Sequence, residues 1–150
     1  MVGAETQDET QKNVESVDWV LAELVQLANQ SEAGFEVDIT LTVSGSIILG
    51  KLVEGKEYFE YYGDYCAKSF DGEVDKKKIK ERFGAPEDWF GPKGSIASDQ
   101  PSYIYLRDAK YFYPNANPIP ADSGLFWRGK LSSVDGFSMG SLSAVRASVD

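Results

Sequence analysis

The sequence predicts an α+β domain: a strongly bent five-stranded antiparallel sheet or partly open barrel, with an N-terminal helix and a helical insertion between strands 2 and 3. Three observations predict it. Phe35, Val37, Ile39, Leu41 and Val43 alternate with Glu36, Asp38, Thr40 and Thr42, the period of a strand buried on one face. Helical spacing of apolar residues occurs before that strand and again at 54–70. The stretch 125–142 reads as two strands around Asp135-Gly136, a dipeptide suited to the type I′ turn of a hairpin.

Taken in order, residues 1–15 are polar and acid-rich, and are expected to be a flexible acidic tail; 16–150 form the single α+β domain. Ser16 is the candidate N-cap of the first helix, with Asp18 placed to favour its positive end. Val17, Val20, Leu21, Leu24, Leu27 and Ala28 make an apolar stripe that Trp19 and Val25 widen. The helix is expected to stop before Gly34. After the alternating strand, Ser44-Gly45 suits a two-residue turn, which sets Leu41 opposite Ile48, Ile39 opposite Gly50, Val37 opposite Leu52 and Asp38 opposite Lys51. The returning strand is apolar on its other face too, at Ile47, Leu49 and Val53, so a helix or another subunit must cover it.

Within 54–70, Tyr58, Phe59, Tyr62, Tyr65, Cys66 and Phe70 form an aromatic helical stripe expected to pack on the sheet. The insertion at 71–101 holds a basic run, 76–82, of one or two helical turns, then a Pro/Gly/Ser-rich stretch expected to be a loop or partly disordered. The third strand occupies 103–113, with a bulge or turn at Asp108-Ala109, and 114–124 is a proline-rich loop. In the terminal hairpin, Val134 is expected opposite Phe137, Leu131 opposite Gly140, Gly129 opposite Leu142 and Trp127 opposite Ala144. Large residues then lie over small ones, and Gly129 and Gly140 permit a tight bend. Trp127, Gly129, Asp135, Gly136, Phe137 and Gly140 are thus the residues expected to determine the fold.

A chain of 150 residues, 42% of them hydrophobic, suits one packed core. It has one cysteine, Cys66, and no histidine. A histidine-based triad is therefore impossible, and neither a metal nor any other cofactor is nominated. Gly-rich phosphate-binding spacing is absent, no local pattern nominates a carboxylate pair, and turn chemistry accounts for Asp135. A non-enzymatic protein is expected. The net charge of −9 argues against DNA, disfavours RNA and does not suit an anionic membrane. With no apolar run long enough to span a bilayer and no basic-apolar leader pattern at 1–16, the expected location is cytoplasmic. What remains is surface. Phe126, Arg128 and Lys130 share a strand face, with Arg107 and Lys110 expected nearby, a cationic strip beside aromatics that suits an acidic partner.

The run Phe126-Trp-Arg-Gly-Lys, then Val134-Asp-Gly-Phe and Gly140, resembles the C-terminal signature of the gas vesicle accessory protein U family. Two earlier segments match the same family in order: 35–50, ending Ile47-Ile-Leu-Gly50, and Gly55-Lys-Glu-Tyr-Phe-Glu-Tyr61. Tyr103-Ile-Tyr-Leu-Arg107 is similar in character. The resemblance covers about 19–144, leaving out the tail and 71–101. It implies a cytoplasmic accessory protein associated with gas vesicles, whose partners are the vesicle shell or other accessory proteins, and which clusters vesicles through multivalent self-association as a homo-oligomer. The order of elements is also similar to Sm-like and SH3-like barrels. That likeness offers an alternative, an Sm-like oligomeric module binding RNA or a peptide.

Overall fold

The chain reverses at Ser44 and Gly45, whose φ values of 50° and 81° place both central turn residues in the left-handed region. In the computed structural model, which describes residues 17–83 and 101–142, this turn joins β1 (Val37–Val43) to β2 (Ser46–Leu52). Its twist suits antiparallel strands. The register is the one the alternation predicts: Leu41 faces Ile48, Ile39 faces Gly50, Val37 faces Leu52 and Asp38 faces Lys51. Ile39, Leu41 and Leu52 are fully buried, while Lys51 meets Asp38 at 3.4 Å on the other face.

Helix α1 (Trp19–Gln30) precedes this hairpin. Asp18 is its N-cap: the carboxylate accepts from the Val20 N–H at 2.9 Å and the Leu21 N–H at 3.4 Å. The expected cap, Ser16, lies outside the described residues. Leu21, Ala22, Val25 and Ala28 pack against β1 and β2, whereas Trp19, Val20 and Leu27 of the expected stripe are exposed. Apolar residues cover more than half of this helix, and a helix can turn only one arc toward a sheet. Buried Asn29 accepts the Gly55 N–H at 2.9 Å, tying the end of α1 to the start of the next helix.

That helix, α2 (Gly55–Ala67), and α3 (Glu73–Phe83) form the expected helical insertion. Phe59 of α2 is buried with Val53 and Tyr105, and Tyr58 and Tyr103 close around them. Strand parity puts Val53 and Tyr105 on the face opposite Ile39, Leu41 and Leu106. The sheet therefore lies between α1 and α2, with a second core on its outer face. This explains why β2 is apolar on both faces.

Strand β3 (Tyr103–Tyr113) pairs with β2 along one edge. Along the other edge it pairs with both β4 (Ala116–Ile119) and β5 (Leu125–Lys130). Asp108, at φ 53°, is the extra residue: the register with β2 shifts between Leu49 and Lys51, and that with β5 between Leu106 and Ala109. The expected bulge is therefore present. Its Asp108 carboxylate accepts the Gly124 N–H at 2.6 Å, anchoring the link from β4 to β5. A sixth strand, β4, stands in the segment expected to be a loop. Its prolines hide it from an alternation test, and a sheet edge tolerates Pro118, which has no N–H to donate.

The terminal hairpin is not formed. β5 pairs with β3, β6 (Gly136–Met139) pairs with β1, and the two lie at opposite edges in the order β4-β3-β2-β1-β6. The pairings expected across it are absent for Gly129, Leu131, Val134, Phe137, Gly140 and Leu142, Gly129 lying opposite Ile104 instead; Trp127's expected partner, Ala144, lies outside the described residues. Neither Asp135 nor Gly136 has a positive φ, so this dipeptide is no type I′ turn. Instead Leu131–Ser133 is a 3₁₀ turn, and the connection sends Leu131 and Val134 into the core beneath α1. With the closing hairpin absent, the sheet is neither closed nor strongly curled, unlike the barrel expected. Gly129 is still covered by a large residue, but by the Trp127 indole of its own strand. Phe137 faces Leu41, and Gly140, at φ 95°, sends its N–H to the Asp38 carbonyl at 2.7 Å.

Candidate interaction surface

Residues two apart on a strand share a face, so Phe126, Arg128 and Lys130 point to the same side of β5. Arg128 is opposite Tyr105 and Lys130 opposite Tyr103, which places the strip on the outer face with α2. Aromatic residues of α2 meet it there, though Tyr65 of the expected stripe faces solvent. Phe126 stacks on Tyr61 with centroids 4.2 Å apart and contacts Tyr58 edge-on at 6.3 Å. The Arg128 guanidinium lies 3.5 Å from the centre of the Tyr103 ring and hydrogen-bonds Tyr105, an arrangement that uses the planarity of arginine. Burial pushes the Tyr58 hydroxyl's pKa up, against the opposing pull of the Arg128 charge.

Arg107 and Lys110 point to the same face, because the bulge at Asp108 restores their parity. Arg107 donates through Nη1 to Glu57 of α2 at 2.7 Å, and through Nη2 to Glu36. Lys51 reaches Glu36 as well, at 3.1 Å. Hydrogen bonds from Lys51 and then Arg107 hold the Glu36 carboxyl below the usual glutamate value; Glu36 and then Asp38 raise Lys51, and Glu57 and then Glu36 raise Arg107. Lys110 Nζ donates to the Asp122 carbonyl at 2.7 Å.

The chain matches the family described as gas vesicle protein GvpU-like over residues 18–142. The chain belongs to the GvpU-like family. The match begins at the N-cap of α1 and ends just after β6, so it spans the whole described fold, and 71–101, outside the motif resemblance, falls within it. Searches of the curated proteins and of the solved structures each returned no match.

In this GvpU-like domain the five predicted surface residues share one face, yet they do not form one bare cationic strip. Arg107 is neutralised by two glutamates, Arg128 is laid over aromatic rings and Phe126 is covered by α2. Lys130 is exposed at the strand end. Sequence reasoning missed the partners, Glu57 and Tyr103, because both come from elements distant in the chain. Its clearest miss is the solvent side of α1, where Trp19 is 70% exposed. A helical wheel with apolar residues around more than half its circumference carried that signal. Among the described residues, no group of three or more Cys, Asp or Glu side chains is arranged to hold a metal ion. No described helix is long and apolar enough to cross a membrane.

Proposed function

We propose that this GvpU-like protein is a non-enzymatic, cytoplasmic gas vesicle accessory protein that binds vesicle or wall-protein surfaces and promotes clustering through multivalent self-association. Family membership supports gas vesicle proteins as its partners. The observation that carries the mechanism is the spread of exposed apolar side chains over separate elements: Trp19 and Leu27 on α1, Tyr65 on α2, Val74 on α3, and Ile119 and Leu125 along the edge of β3. Several weak patches on one small domain let each copy bridge more than one neighbour, and many such contacts add up through effective concentration.

The experiment mixes purified protein with purified gas vesicles and follows cluster size by light scattering, with sedimentation velocity on the protein alone. Clusters should grow with protein concentration while the protein itself associates. Dispersed vesicles beside a strictly monomeric protein would overturn the reading.

A further inference from the structure

The charge of this protein is unevenly placed. Residues 13–50 contain Glu15, Asp18, Glu23, Glu32, Glu36 and Asp38 and no lysine or arginine. The run 76–82 carries Lys76, Lys77, Lys78, Lys80 and Arg82 against Glu81 alone. Of these acids only Glu23 lies within α1, on one face of the sheet, with Asp18 as its N-cap, while Glu36 and Asp38 pair with Lys51 and Arg107 on the opposite face. The basic run lies in α3, carried on that opposite face by α2 through Lys80–Asp64 at 3.5 Å and Tyr62–Phe83 at 5.4 Å.

Each helix also presents an unpartnered outer stripe. On α1, Trp19, Glu23 and Leu27 follow one another at i, i+4 and i+8, directed away from the buried Leu21, Val25 and Ala28. Trp19 is 70% and Leu27 56% exposed, and Glu23 is exposed between them. On α3, Val74, Lys78 and Arg82 have the same spacing, with Val74 68% exposed. Lys76, Lys77 and Lys80 pair with Glu73, Glu81 and Asp64. No ion pair engages Lys78, Arg82 or Glu23 among the described residues.

We infer that the Trp19–Glu23–Leu27 stripe of α1 docks on the basic stripe of α3 in a second copy of this chain. Glu23 meets Lys78 and Arg82, while Trp19, Leu27 and Val74 exclude water around the contact. The two stripes differ and lie on opposite sides of the sheet, so the contact is heterologous. A bound pair still offers one free stripe of each kind, so association is open-ended. A single helix-on-helix contact is small, so each link is weak and salt-sensitive. The inference rests on the self-association reading above and gives it a polarity.

The test is sedimentation velocity over a range of concentrations and salt, with four proteins whose folding is checked by circular dichroism. These are the unsubstituted chain, Glu23→Lys, Lys78→Glu/Arg82→Glu, and all three substitutions combined. The unsubstituted chain should associate, less so in high salt. Each reversal alone should weaken association about tenfold or more. The combined variant, and an equimolar mixture of the two single-sided ones, should recover it. Association that ignores the reversals sinks this docking mode and leaves self-association standing. A chain monomeric at every concentration sinks both.

Discussion

The carboxylate of Asp135 accepts the backbone N–H of Ser44 at 2.8 Å, across 91 residues of sequence. The Asp135 N–H goes to the Thr42 carbonyl at 2.8 Å. The residue read as the corner of its own hairpin thus fastens the end of the crossover to the β1–β2 turn. Asp135→Ala should lower stability by about 1 kcal/mol, since the bond is exposed. Asp135→Asn, which keeps an accepting oxygen, should lose less; urea titration separates the two.

Glycine replacements distinguish the two turns. Gly45 has φ 81°, so Gly45→Ala should cost about 1 kcal/mol. Gly136 lacks a positive φ and has open space where a Cβ would stand, so Gly136→Ala should stay within about 0.5 kcal/mol of the parent. Equal losses at both sites in thermal melts would restore the hairpin reading of Asp135-Gly136.

The crossover makes a packing prediction. Leu131 is 1% exposed and Leu125 is 56% exposed. Leu131→Ala should therefore destabilise by about 2–5 kcal/mol and Leu125→Ala by well under 1 kcal/mol. Denaturant midpoints compared at equal slope decide between them.

Gly124 sits against the Asp108 backbone, where a Cβ would collide with the carbonyl. Backbone cannot swing aside as a side chain can, so Gly124→Ala should cost about 1–3 kcal/mol. The bulge should loosen with it, which hydrogen exchange at Leu125 and Ala109 would report.

Glu36 supplies a pH dependence. Lys51 and Arg107 hold its folded-state pKa below the ordinary value of 4.5, so the folded chain binds this proton less readily than the unfolded chain. The stabilisation is fully present above that ordinary range and is lost as pH falls through the folded-state value. Glu36→Gln should flatten the acid limb of the stability curve. An acid limb identical in both proteins would contradict the network.

What could be read from the residues alone was local and periodic. The alternation around Ile39 and Leu41 set the β1–β2 register, Ser44-Gly45 set its turn, and the aromatic spacing of Tyr58 and Phe59 marked a helix that packs on the sheet. Each depends on backbone geometry repeating over a few residues, which the chain records directly. Tertiary structure decided the rest: which edge receives β5 and which β6, which arc of α1 is buried, and which acids meet Arg107. Those choices join residues far apart in the chain and follow from filling one shared core, where Leu131 and Val134 gain more under α1 than Asp135-Gly136 would gain by turning back on itself.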